Sequence, residues 1–526
     1  MEHSMIQLDD LPDEILMMIL KKMCQVDVLY SLIDVNQRFN IIVHDSIFTN
    51  HLILLEHLSD GFICSLTDSI LDHFCSQILP KINHKIKRLD LESSSMQRIL
   101  LATNYPSLHE LSLYNINLNT FIQYFFEENA LTDLFKNKIL SLTFNMNVNK
   151  KNNDREFFNA IIFQRIIKTF TNIQYLNFCP SSTWYSRISF EIFIENLASS
   201  TLLELHVTLT NFDNCLYLLD GRFNQLHTLY INVADIQSSQ QTIRNMENLP
   251  NLKCFSLYSN VMTSAYDELV VPLLNRMFNL EELGLYIKLR DKNTFIDGNN
   301  LKKNILNNMS RLKKLQFYIR STTIVLNQLN IPSNEDIQYT FKDFYNNHII
   351  SYVDYFTDTQ RGQCHVYSYP YTMNEYYKIT NNFPGGLYKS VTKISLYDER
   401  PFEYKFFLQI AQSFPFLKKL ILENMKPQND KKQNLPIIEY PHLIILDLTE
   451  AHLDYIELFL LDTKMRLSND ISLIVIYQAL RKVTEKFTKN STRTNGEKLH
   501  RLSLLGKYRI PKYVKEYFPH TEILNH

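Results

Sequence analysis

Glycine is scarce, nine residues in 526, and those present form neither a G-x-x-x-x-G-K-[ST] loop nor a G-x-G-x-x-G turn. No phosphate cradle of either kind is therefore encoded. The patterns H-E-x-x-H and G-x-S-x-G are missing too, which removes the zinc-hydrolase and nucleophile-elbow readings. The seven cysteines, Cys24, Cys64, Cys75, Cys179, Cys215, Cys254 and Cys364, form an odd, scattered set without a C-x-x-C pair. Reduced thiols are expected, rather than a disulfide or zinc framework. No run of 18 apolar residues occurs, and residues 1–20 carry Asp9, Asp10, Asp13 and Glu14 instead of a basic segment followed by an apolar one. These absences point away from a membrane span or a secretory signal and towards a cytoplasmic protein, with the nucleus also open. Charge of one sign is lacking as well: 54 Lys and Arg stand against 55 Asp and Glu. That balance argues against a general nucleic-acid binder.

What is present begins with residues 8–43, LDDLPDEILMMILKKMCQVDVLYSLIDVNQRFNIIV. Pro12 suits a first helical position, Asp13 and Glu14 lie in the first turn against the positive helix end, and Lys21 and Lys22 balance the other end. Ile15, Ile19 and Met23 recur at four-residue spacing beside Leu16 and Leu20, giving a short helix a broad apolar face. A second helix follows near Asp27 with Val28, Leu29 and Leu32, and a third opens near Val35 and runs through Phe39 to Val43. Three helices in about 40 residues cannot hide that much apolar surface by themselves.

The order and spacing of Leu11-Pro12-Asp13-Glu14-Ile15-Leu16, Ile19-Leu20, Asp27-Val28-Leu29 and Val35 with Arg38-Phe39 resemble the F-box, the motif that docks on the Skp-type adaptor of a cullin ubiquitin ligase. The resemblance covers residues 8–48, with Phe39 where the family often has tryptophan. It implies that Leu11, Pro12, Ile15, Leu16, Ile19, Leu29, Leu32, Val35 and Phe39 form or support the adaptor-facing surface.

Residues 49–84, with Leu52, Leu54, Leu55 and Leu58 and then Ile70, Leu71, Phe74 and Ile78, are expected to form a helical connector. Beyond it a phrase recurs, apolar-x-x-apolar-x-apolar: PSLHELSL ending at Leu113, TNIQYLNF at Phe178, NQLHTLYI at Ile231, PNLKCFSL at Leu257, NLEELGL at Leu285 and SRLKKLQF at Phe317, with weaker copies ending at Leu91, Phe144 and Val207. Each alternating tail predicts a short strand. The mean interval of about 28 residues, with helical stripes at 155–170, 188–199, 239–248, 266–278 and 300–309, matches leucine-rich repeats. The expected fold class is thus α/β: a three-helix F-box at 8–48, the connector, and a curved leucine-rich-repeat solenoid over 85–526, strands on the concave side and helices on the convex side.

The phrase disappears around 320–390, where Ile337-Tyr339-Phe341 alternates and 349–356 with 364–369 predict an antiparallel hairpin. It returns at Leu396, Leu422, Leu448 and Leu504. Residues 478–526 hold eleven Lys and Arg against four Glu, read as a solvated cap more than an acidic-partner site. Cys364-His365 cannot form a nucleophile–base pair if the two alternate on a strand. No RING-type Cys/His array occurs, and no enzyme activity or cofactor is expected.

Tyr258, Tyr286 and Tyr318 each follow the last apolar position of three consecutive phrases, and Tyr114 and Tyr397 stand likewise elsewhere. Tyrosine favours strands, which accounts for part of this column; an exposed aromatic strip on the strand face is also what a target site uses. The expected function is a non-catalytic substrate receptor of an SCF-type ubiquitin ligase, with the Skp-type adaptor and cullin core as partners and an unknown target protein held at Tyr258, Tyr286 and Tyr318. The alternative is an interaction scaffold outside any ligase, its N-terminal helices acting only as a cap.

Overall fold

The computed structural model describes residues 11–57, 63–126, 135–146, 155–178, 187–190, 197–237, 247–290, 294–324, 331–344, 348–430, 436–506 and 509–525. They fall into two compact units, the first holding residues up to Lys288 with Asn304–Leu315, the second Leu289–Lys303 with Gln316–His526.

The first unit opens with four helices, α1 (Asp13–Leu20), α2 (Gln25–Leu32), α3 (Gln37–Val43) and α4 (Ser46–Thr49). The strands follow as β1 (His51–His57), β2 (Ile63–Ser65), β3 (Arg88–Glu92), β4 (Glu110–Ile116), β5 (Ser141–Met146), β6 (Tyr175–Phe178), β7 (Glu204–Asn211), β8 (Thr228–Asp235), β9 (Cys254–Thr263) and β10 (Glu282–Leu289). They lie in the order β2-β1-β3-β4-β5-β6-β7-β8-β9-β10. Because alternate residues face one side, the phrase's leucines line up across the sheet. Leu89, Leu111, Leu142, Leu176, Leu205, Leu229 and Phe255 are successive register partners in parallel strands. All seven are buried. Fully burying one such side chain contributes about 1.5–3 kcal/mol, so this single row is a main source of the unit's stability.

Adjacent strands are started by one repeated contact. The carbonyl of Lys87 accepts the amides of His109 and Glu110, that of His109 accepts Leu140 and Ser141, and that of Leu140 accepts Gln174 and Tyr175. The pattern continues at Gln174 with Leu203 and Glu204, and at Leu203 with His227 and Thr228. Two consecutive amides on one carbonyl satisfy backbone donors where no ladder has yet begun.

The helical connector expected at 49–84 is instead two strands, β1 and β2, followed by short helices: β1 pairs in parallel with β3, Leu52 on Leu89 and Leu54 on Leu91. Four apolar residues in a row, Leu52 to Leu55, fit either period, and the ladder decided between them. The helix Arg155–Thr169 stands where its stripe predicted. The stripe at 239–248 falls largely outside the described residues, and of the stripe at 188–199 the described residues 188–190 and 197–199 are not helical.

In the second unit, β11 (Lys314–Ile324), β12 (His348–Phe356) and β13 (Arg361–Tyr369) form an antiparallel group in the order β12-β13-β11, which contains the expected hairpin. The remaining strands are β14 (Glu375–Ile379), β15 (Lys393–Tyr397), β16 (Lys419–Asn424), β17 (Ile438–Tyr440), β18 (Ile445–Ala451), β19 (Met465–Leu467), β20 (Ile471–Ile476), β21 (Leu499–Leu505) and β22 (Glu522–Asn525). Seven of them make a second sheet, β14-β15-β16-β18-β20-β21-β22, and β17 pairs with β19. Ile337-Tyr339-Phe341 is not a strand. Ser333 and Asp336 close a capping box that starts a helix over Asn334–Tyr339, so local capping overrode the alternation. Pro384-Gly385-Gly386 is a turn with φ of 80° and 127° at the two glycines, a region that a side chain disfavours.

Candidate functional site

The helices at the start of the first unit have two apolar sides. Pro12 is the N-cap of α1, one position before the helix proper, and its carbonyl accepts the amides of Ile15 and Leu16 at 3.1 and 3.0 Å. Leu16 and Leu20 turn inward and are buried. The neighbouring stripe stays open: Ile15 is 42% exposed, Met18 65%, Ile19 39% and Met23 51%, with Val35 at 58% and Ile41 at 70%. A four-residue spacing keeps Ile15 and Ile19 on one face, while Leu16 and Leu20 keep to the next.

Polar contacts fix the helices against each other and against the strands. The Gln25 side-chain amide donates to the carbonyls of Phe48 and His51 at 2.6 and 2.7 Å, fastening α2 to the start of β1. Asn36 caps α3 by accepting the Phe39 amide at 2.8 Å. Arg38 donates to Asp13 Oδ1 at 2.7 Å and to the Leu11 carbonyl, which ties α3 to the beginning of α1. Lys81 pairs with Asp34, and that hydrogen bond holds the Asp34 carboxyl below the usual range. Lys85 Nζ donates to the His44 carbonyl at 2.9 Å. Beside α3 a cavity of about 550 Å³ is lined by Asp34, Asn36, Gln37, Asn40, Ile41 and His44, with Lys85.

Of the residues expected on the adaptor-facing surface, Pro12, Ile15, Ile19 and Val35 are exposed, and Leu11 and Leu32 are half-buried. Leu16, Leu29 and Phe39 are buried within the chain. Phe39 is thus covered by its own fold and supports that surface from beneath, because Ile42, Val43 and the capping turn draw its face of α3 inward. Met18 and Ile41 were missed, while Met23 belonged to the expected apolar stripe without being counted among the adaptor-facing residues. The signal for Met18 was its three-residue spacing from Ile15; nothing local marks Ile41, since which side of α3 meets the body is settled only in three dimensions.

The tyrosine column is not one exposed strip. Tyr258 is half-buried and Tyr286 is buried. In the second unit Tyr318 is buried, with ring centroids 5.5 Å from Tyr376, 5.8 Å from Tyr371 and 6.4 Å from Tyr367, and its hydroxyl lies 3.2 Å from His365 Nδ1. Desolvation pushes that hydroxyl's pKa far up. For Tyr318 the physical reason is the 320–390 segment, whose Tyr367, Tyr371 and Tyr376 pack over the face that the sequence leaves open. Cys364 and His365 alternate on β13, and the His365 ring stacks on Tyr352 at 4.6 Å.

The outward face of β3 to β6 holds a polar cavity of about 670 Å³ lined by Arg88, Glu110, Tyr114, Ser141, Tyr175 and Asn177 among others. Arg88 donates to both carboxylate oxygens of Asp90 at 2.9 and 3.3 Å, and His51 Nε2 is 3.1 Å from Asp90 Oδ2. Burial opposes charge on Asp90, but His51, Arg88 and Ser112 outweigh it and keep its carboxyl below the ordinary range. Desolvation and nearby carboxylates raise the pKa of Tyr114 and of Tyr175, so both hydroxyls stay neutral.

No curated protein matches the chain. Residues 8–51 match the family model of the F-box domain, and the helices α1 to α4 are accordingly those of an F-box domain.

Proposed function

We propose that this chain is the substrate-recognition subunit of an SCF-type cullin ubiquitin ligase. The observation that carries the reading is the open apolar stripe of Ile15, Met18, Ile19, Met23, Val35 and Ile41 on helices whose opposite sides are already spent on the chain's own core. F-box domains bind Skp-type adaptors, and a few such anchors in a desolvated contact supply most of an interface's affinity. The parallel strands behind the helices, with leucines repeated in register, support reading the rest as a leucine-rich-repeat array that holds a target protein. The subunit is non-catalytic: it keeps a target lysine near a ubiquitin-charged enzyme, and the gain in rate comes from proximity. It acts in the cytoplasm. Affinity purification of the tagged full-length chain tests this, with adaptor and cullin expected in stoichiometric amounts. Recovery of neither would leave an interaction scaffold outside any ligase.

A further inference from the structure

The outward row of the first unit's sheet is an open face with unspent chemistry. Register partners run Arg88, Glu110, Ser141, Tyr175, Glu204 and Thr228 in one row, and Asp90, Ser112, Thr143, Asn177, His206 and Tyr230 in the next. The cavity of about 670 Å³ lies over the first strands of these rows. With Glu92, the face sets one arginine against four carboxylates.

Two of the carboxylates are already committed. Asp90 takes the Arg88 fork and the His51 contact, and Glu92 accepts the Ser94 amide at 2.7 Å as the cap of the helix Ser93–Leu100. Glu110 is only loosely met, by Arg88 at 3.9 Å and His109 at 3.7 Å. Glu204 gives one oxygen to His206 Nε2 at 2.7 Å. Both side chains are more than a third exposed. Beside Glu204 in register stands the Tyr175 ring, tilted 48° to the His206 ring at 5.4 Å, with His206 stacked on Tyr230 at 4.4 Å. Tyr114 lines the same cavity as Glu110.

The geometry points to a docking site for an extended peptide segment that carries two basic side chains. Carboxylates beside tyrosine rings hold lysine and arginine through ion pairing and cation–π attraction, and the same surplus of negative charge repels phosphates and acidic segments. Between the two glutamates, Ser112, Ser141, Thr143 and Asn177 offer donors and acceptors to a peptide backbone. Glu110 and Glu204 are three strand steps apart, about 14 Å at the usual strand spacing, which an extended chain covers in about four residues. The segment therefore carries Lys or Arg at positions i and i+4, lying across the strands. This site rests on reading the sheet as the target-binding part and is independent of adaptor docking.

The full-length chain, held by a C-terminal tag so that no adaptor is needed, is panned with a displayed library of random 12-residue peptides. A second selection uses the Glu110→Gln/Glu204→Gln variant, which keeps the shape and the contact to His206. Enriched peptides are expected to place basic residues four apart, to bind the wild type with an affinity that falls as salt rises, and to bind the variant at least tenfold more weakly at an unchanged melting temperature. Acidic or uncharged consensus peptides, equal affinity for the variant, or no enrichment over tag-coated beads would overturn the site. Should the variant melt early, competition on wild type decides: oligoarginine must displace the selected peptide and oligoglutamate must not. Adaptor binding of the same preparations, measured separately, shows whether a failure belongs to this site or to the ligase reading.

Discussion

Arg320 and Asp354 are the two residues of the second unit whose charge the fold accommodates least. Arg320, on β11 opposite His365, is buried, and its Nε and Nη1 have no hydrogen-bond partner. Desolvation pulls its pKa down, although the neighbouring tyrosines and Glu423 work the other way. A buried charge without a close counter-ion costs more than an apolar side chain of similar volume. Arg320→Met is therefore expected to stabilise the protein by on the order of 1–4 kcal/mol, read as a higher melting temperature. Asp354 sits among Thr380, Asn382, Asp398 and Arg400, and its Oδ1 accepts no hydrogen bond. Burial, with Asp398 adding to it, raises its pKa to about 7, while the Thr380 hydrogen bond opposes the shift. The folded state then holds a proton that the unfolded chain, with an ordinary carboxyl, has released. Stability should fall as pH rises from about 4 to about 7 and level off above. Asp354→Asn should flatten that stretch of the melting-temperature profile and raise stability at pH 8 by a few kcal/mol in order of magnitude. An unchanged slope would show that another group titrates. Neither residue was visible beforehand, since Arg320 and Asp354 alternate on strands in the way that exposed polar residues do.

At the scale of elements, the row of apolar register partners carries the first sheet. Leu176 lies in its middle on β6, so Leu176→Ala should cost about 2–5 kcal/mol, while Thr143→Ala on the outer face should stay within about 0.5 kcal/mol. Equal effects in chemical denaturation would mean that the inward row is not where the stability lies. The strands of this sheet were legible because an alternating tail states both the element and its buried side. The N-terminal helices were legible through Pro12, the acidic first turn and the four-residue apolar spacing. Legibility failed where two periods compete: an unbroken run such as Leu52-Ile53-Leu54-Leu55 cannot choose, and β1 became a strand only by pairing with β3. Residues 471–476, ISLIVI, lacked the recurring phrase and were passed over, although β20 joins β18 and β21 in parallel. At Ser333 the opposite happened, for a cap four residues long outweighed the alternation behind it.

For the first unit as a whole, the F-box domain is continuous with the sheet. The Asn50 carbonyl accepts the amides of Lys87 and Arg88 at 2.8 and 2.9 Å, the same paired contact that starts each later strand, and β1 covers Leu89 and Leu91 of β3. Removing residues up to His57 should therefore uncover the apolar rows and produce aggregation rather than a soluble repeat fragment. The candidate site was legible in outline only. Pro12, Ile15, Ile19 and Val35 could be named through the resemblance to the F-box, with Ile15 and Ile19 also set on one face by their spacing, but the division of the other apolar residues between core and surface depended on where the body of the unit lies. The proposed role of the open stripe on these helices is to bind the adaptor. Calorimetry of the full-length chain with a Skp-type adaptor tests it most directly, comparing wild type with Ile15→Asp/Ile19→Asp. Wild type should bind one to one at micromolar or tighter affinity, and loss of two central anchors should weaken binding by about 100-fold with the melting temperature unchanged. Absence of binding by the wild type, or undiminished binding by the variant, would contradict it.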